Sequence, residues 1–117
     1  MQPLRSVLMA FVDRPDVAAV IVVSDDGLVV ESQLPARLDA EELAALATSA
    51  ARALGALGAS AHVGPLAQAA VECNDGTLVL QRLPSGATLL VLAAADGDIG
   101  QLLFDLRRHA PALVSLL

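Results

Sequence analysis

Val17-Ala-Ala-Val-Ile-Val-Val-Ser-Asp-Asp-Gly27-Leu-Val-Val-Glu31-Ser32 is the stretch on which the fold turns. Its first seven residues are apolar at odd and even positions alike, which predicts a central strand covered on both faces. Ser24-Asp25-Asp26-Gly27 carries turn chemistry, and the chain returns as a second strand over 28–32. The segment therefore reads as a hairpin.

Upstream, Leu4, Val7, Leu8 and Phe11 form a helical stripe that should end by Arg14, because Pro15 disfavours helix in its predecessor. Downstream, Asp39 followed by Glu42 makes an N-cap box, with Glu41 and Glu42 favoured by the helix dipole. This helix is predicted over 39–57, closed by Gly58. Its inward stripe is read as Leu43, Leu46, Ala47, Ala50, Leu54 and Leu57. The opposite face then carries Glu41, Ala45, Thr48, Arg52 and Ala56, mostly small side chains that suit close approach of another helix. On this phase Leu46→Asp should unfold the protein and Thr48→Asp should leave it folded. Strands follow over 66–73, 77–83 and 87–95, with Asp75-Gly76 and Ser85-Gly86 supplying positive φ at the turns. Ile99, Leu102, Leu103, Leu106, Ala110 and Leu113 outline a last helix, which Pro111 ends or bends.

The 117 residues suffice for one domain, 1–117, with a core needing neither disulfide nor metal. The chain is 56% hydrophobic with a mean hydropathy of +0.65, a surplus that implies either a large core or apolar surface left for another chain, the second being the expectation for so small a domain. No apolar run is longer than Val17–Val23, which is strand-sized and far below the roughly 20 residues of a membrane span, so no membrane insertion is expected. The opening residues lack a basic region followed by an apolar block, so no signal peptide is expected. A lone cysteine, Cys73, fits a reducing, cytoplasmic compartment. A net charge of −6 and 2% aromatic residues argue against nucleic-acid binding.

The chemistry-bearing residues have plain readings. His62 and His109 have no metal-ligand spacing to any Cys or carboxylate, and Cys73 reads as a buried structural thiol. Asp25-Asp26 are turn residues and Glu41-Glu42 a helix start, not an acid pair. Gly27 and Gly76 are turn glycines, since no lysine occurs in the chain and no phosphate-loop pattern exists. Phe104 lies off the last helix's stripe and is expected to pack on the first helix, with a docking aromatic as the other option. No catalytic residue, metal site or cofactor is expected, so the chain reads as a non-enzyme that does not bind nucleotide by itself.

The order helix, two strands, helix, three strands, helix resembles the roadblock (dynein light-chain/MglB-like) family, in its bacterial single-domain kind. The residues that carry the likeness are the opening stretch, Asp39-Ala-Glu-Glu-Leu43-Ala-Ala-Leu46, Val71-Glu-Cys-Asn-Asp-Gly76-Thr-Leu-Val-Leu80, Leu89-Leu-Val-Leu-Ala93 and Ile99-Gly100. The resemblance implies an α/β (α+β) fold of order αββαβββα. Its five-stranded antiparallel sheet lies between one middle helix and two terminal helices. It also implies a homodimer in which edge strands merge two sheets and the middle helices lie side by side. The charge-poor strand over 66–73 is the candidate dimer edge, through Leu66, Gln68, Ala70 and Glu72. Family members bind small Ras-like GTPases, and MglB-like ones stimulate GTP hydrolysis without inserting a catalytic residue. The partner would then sit on Glu41, Ala45, Thr48, Arg52 and Ala56, with Arg52 near the centre. The alternative is a dimeric scaffold or adaptor subunit that leaves GTPase kinetics unchanged.

Overall fold

A computed structural model describes residues 13–114. Five strands, β1 (Val17–Val23), β2 (Val29–Gln33), β3 (Gln68–Cys73), β4 (Gly76–Arg82) and β5 (Thr88–Ala94), form one antiparallel sheet in the order β2-β1-β5-β4-β3. Two helices accompany them, α1 (Ala40–Ser60) between β2 and β3, and α2 (Ile99–Val114) after β5. The helical stripe expected at Leu4, Val7, Leu8 and Phe11 lies outside the described residues.

Side-chain alternation divides the core in two. On one face, Val20, Val22, Val79, Leu89 and Val91 pack with Leu102, Leu106 and Ala110 of α2. On the other, Ile21, Val23, Leu80 and Leu90 pack with Ala44 and Ala47 of α1. The registers Val20↔Val91, Ile21↔Leu90 and Val22↔Leu89 align these sets across neighbouring strands. β1 is therefore buried from both sides, as its uninterrupted apolar run requires.

The capping read for α1 is present: the Asp39 carboxylate accepts from the backbone N–H groups of Glu41 (3.0 Å) and Glu42 (3.2 Å). The far end differs. Gly58 does not close the helix, which continues to Ser60. There the Val63 N–H donates to the Gly58 carbonyl (3.0 Å) and the His62 N–H to that of Ala59 (3.1 Å), a Schellman closure. His62 takes the left-handed position, φ 60°, that glycine usually fills. Gly58 serves another purpose, since a Cβ there would run into the Gly64 carbonyl oxygen. Gly76 is likewise a close-approach glycine and not a source of positive φ, because a Cβ would lie 2.8 Å from the Ala93 oxygen. Pro111 does not end α2, which continues past it to Val114.

The largest correction concerns the rotation of α1. Its buried residues are Ala44, Ala47 and Ala51, with Leu43 and Leu54 half-buried. Leu46 and Leu57, expected inside, are 59% and 65% exposed, and Ala50 is exposed too. Thr48, expected outside, is half-buried and donates its hydroxyl to the Ala44 carbonyl (2.8 Å). The reason is a division of volume. The sheet supplies branched side chains, Ile21, Val23, Leu80 and Leu90, and alanines let the helix settle close upon them. Two positions along a helix are about 200° apart, so burying Ala44 turns Leu46 outward. Leu46→Asp is therefore not a core disruption.

Candidate interaction surface

α1 lies over β1, β5 and β2, and on this face β4 and β3 are left with partial cover. Ala69↔Leu80 and Val71↔Leu78 are the cross-strand pairs there. Leu80 is buried beneath the helix, whereas Val71 is 45% and Leu78 38% exposed. Among the described residues β3 pairs only with β4, so its other side presents backbone N–H and C=O groups with no partner there. Exposed leucines on α1 and exposed aliphatics on β3 and β4 thus belong to one layer, beside an open strand edge. An edge of that kind, with apolar residues and one charge over Gln68–Cys73, is a template for pairing with another chain.

Of the candidate edge residues, Gln68, Ala70 and Glu72 lie in β3, but Leu66 precedes it and lines a cavity instead. Gln68 is tied down: its amide donates to the Gln81 side chain (2.6 Å) and to the Leu103 carbonyl of α2 (3.0 Å). The buried Gln81 amide donates in turn to the carbonyls of Arg82 (3.1 Å) and Ala67 (3.4 Å). This network holds the first residues of the edge strand flat against the sheet and keeps the template rigid. Cys73, read as a buried thiol, is exposed at the end of β3. The hairpin turn places it at the sheet margin, where no described helix packs over it.

The candidate partner residues on α1 divide. Glu41, Ala45, Arg52 and Ala56 are exposed, while Thr48 faces the β1–β2 turn and would touch a Cβ built at Gly27. An Arg52 guanidinium N–H donates to the Asp25 carbonyl (3.4 Å), which ties the helix flank to that turn. Phe104 of α2 is exposed. On the same side of the sheet, Arg14 holds Asp105 through a 2.6 Å ion pair, and this hydrogen bond lowers the carboxyl below its ordinary range. The pair fastens the segment entering β1 to α2. Leu46, Leu57, Val71 and Leu78 were missed as surface residues by the sequence reading. The signal that finds them is the small-residue stripe Ala40, Ala44, Ala47 and Ala51, which marks the packed side of α1 by close approach and not by bulk.

The chain has relatives of the same length and shape. An uncharacterized protein of Methanocaldococcus jannaschii is 32% identical over 96 residues, covering 82% of this chain and 83% of that protein. The crystal structure of a Roadblock/LC7 domain from Streptomyces avermitilis superposes with a TM-score of 0.77 at 27% identity, over 91% of this chain and 93% of that one. Gliding protein MglB from Thermus thermophilus superposes with a TM-score of 0.84 at 15% identity, over 97% of this chain and 87% of that one, a likeness of fold. The Roadblock/LC7 domain model matches residues 5–93, which takes in the β1–β2 hairpin, α1, the β3 edge and β4. With this strand order, this edge and that match, the chain belongs to the Roadblock/LC7 domain family.

Proposed function

We propose that the protein is a cytoplasmic, single-domain regulatory module. It homodimerises through β3, binds a small Ras-like GTPase and modulates GTP hydrolysis without catalytic residues of its own. The observation that carries this reading is apolar surface left uncovered on one side of the sheet: Leu46 and Leu57 are exposed on α1, and Val71 and Leu78 on β3 and β4, where the outer edge of β3 has no strand partner among the described residues. Pairing β3 with β3 of a second copy continues the sheet and brings the second α1 over the partly covered strands. A dimer seam of this kind buries on the order of 1,600 Å² in total.

α1 is also 21 residues long and contains an 18-residue window with a mean hydropathy of 1.2, enough by length and composition to cross a membrane. Membrane insertion would strip the helix from Ile21, Val23, Leu80 and Leu90, exposing the core they form. A protein partner covers Leu46 and Leu57 without that cost.

The GTPase part rests on the family and on the exposed flank formed by Glu41, Ala45, Arg52 and Ala56. Phosphate release from a Ras-like GTPase of the same cell, with and without this protein, tests it. The expected result is a concentration-dependent change in turnover. Tight binding with unchanged turnover would establish the scaffold role instead.

A further inference from the structure

On the flank of α1 away from Leu46 and Leu57, the chain forms an open cavity of about 450 Å³, within the size range of small-molecule sites. Its polar wall includes Arg52 of α1, Arg82 at the end of β4, Thr88 at the start of β5, and Ser24 and Asp25 after β1, the Asp25 carboxylate lying more than 4.0 Å from either guanidinium. Pro65 and Leu66, in the segment leading into β3, and Ala51 of α1 provide an apolar wall.

The two arginines are unusual for this chain. Acidic residues outnumber basic ones 13 to 7, yet among the described residues neither Arg52 nor Arg82 has a carboxylate oxygen within 4.0 Å. Each guanidinium offers five N–H donors. Arg52 uses one on the Asp25 carbonyl, and Arg82 uses one on the Thr88 hydroxyl at 2.7 Å. Thr88 is 3% exposed and cannot move aside, so it fixes the Arg82 head at the cavity wall. Two like charges, thirty positions apart in sequence, are thus brought to one cavity with most of their donors unused. A fixed guanidinium fork is the preferred acceptor site for a planar or tetrahedral oxyanion.

We propose that this cavity binds a small organic anion, its carboxylate or phosphate head on Arg52 and Arg82 and a short apolar body against Ala51, Pro65 and Leu66. The site needs no partner chain, but it shares Arg52 with the flank proposed for the GTPase, so the titration is made on the protein alone.

The test is calorimetric titration of the full-length protein at pH 7 and constant ionic strength. The probes are acetate, butyrate, hexanoate, inorganic phosphate and butyl phosphate, with chloride as the reference. The expected result is saturable binding with a Kd of about 1 mM or tighter. Within one head group, affinity should rise with the length of the apolar body, and the better head group identifies the ligand class. Arg52→Met and Arg82→Met should each weaken binding about 10-fold or more, while Arg107→Met on α2 leaves it unchanged. Arg52 is exposed, so its variant keeps the test valid if Arg82→Met fails to fold. Absence of saturation with every probe overturns the proposal. Binding that persists undiminished in Arg52→Met overturns it equally.

Discussion

Leu46 and Ala47 are neighbours in sequence and 100° apart on α1, and aspartate at the two positions should have opposite consequences. Ala47 is buried against Ile21, Val23, Leu80 and Leu90. A carboxylate there costs several kcal/mol against a total stability of roughly 5–15 kcal/mol, so Ala47→Asp should lose most of its helical signal. Leu46 is 59% exposed, so Leu46→Asp should stay folded. Its effect falls on the dimer. Covering a whole leucine side chain contributes about 1.5–3 kcal/mol, and covering this exposed fraction about 0.9–1.8 kcal/mol. Two-fold symmetry counts the loss twice, about 1.8–3.5 kcal/mol, which weakens association about 20- to 300-fold. The charge adds desolvation to that loss. Circular dichroism and sedimentation equilibrium on the two variants measure both effects. An unfolded Leu46→Asp, or a folded Ala47→Asp, would refute the rotation of α1. A folded Leu46→Asp that associates as tightly as the wild type would remove α1 from the seam.

His62→Gly should stabilise the protein by about 0.5–1 kcal/mol, read as a higher denaturation midpoint, because glycine adopts the left-handed closure of α1 without a Cβ penalty. Asp105 is held below its ordinary range chiefly by the hydrogen bond from Arg14. Its contribution is therefore present above the unfolded carboxylate value and is lost as pH falls through the acid range below about 4. Arg14→Gln should flatten that part of the stability–pH profile, and an unchanged profile would show that the pair contributes nothing.

What could be read from sequence was set by local chemistry. Val17–Val23 fixes its own strand because seven apolar residues without helical period have few other uses. Asp39 caps α1 because its carboxylate reaches two N–H groups within the same turn. The rotation of α1 was hidden because it depends on what the sheet presents. Leucines look like core residues until Ile21, Val23, Leu80 and Leu90 are seen to fill the layer already. The end of α1 was hidden because Gly58 carries the usual sign of a helix stop, while its real constraint is Gly64, six residues on. Arg82 drew no notice because its partner Thr88 lies across a turn and its cavity is shared with a helix thirty residues upstream. The edge was located by its lack of charge, yet Leu66 fell outside it because pairing with β4 begins at Gln68↔Gln81.

Dimerisation through β3 is the claim on which the functional reading depends, and amide hydrogen exchange over Gln68–Cys73 tests it most directly. In one protomer the N–H groups of this strand that point away from β4 have no partner in the sheet. Exchange should be measured across a dilution series spanning the dissociation constant. Those alternate amides should be protected at high concentration and lose protection on dilution, while the amides bonded to β4 stay protected throughout. Outward amides that exchange freely at every concentration, in a sample that sediments as an 11.9 kDa species, would contradict the account.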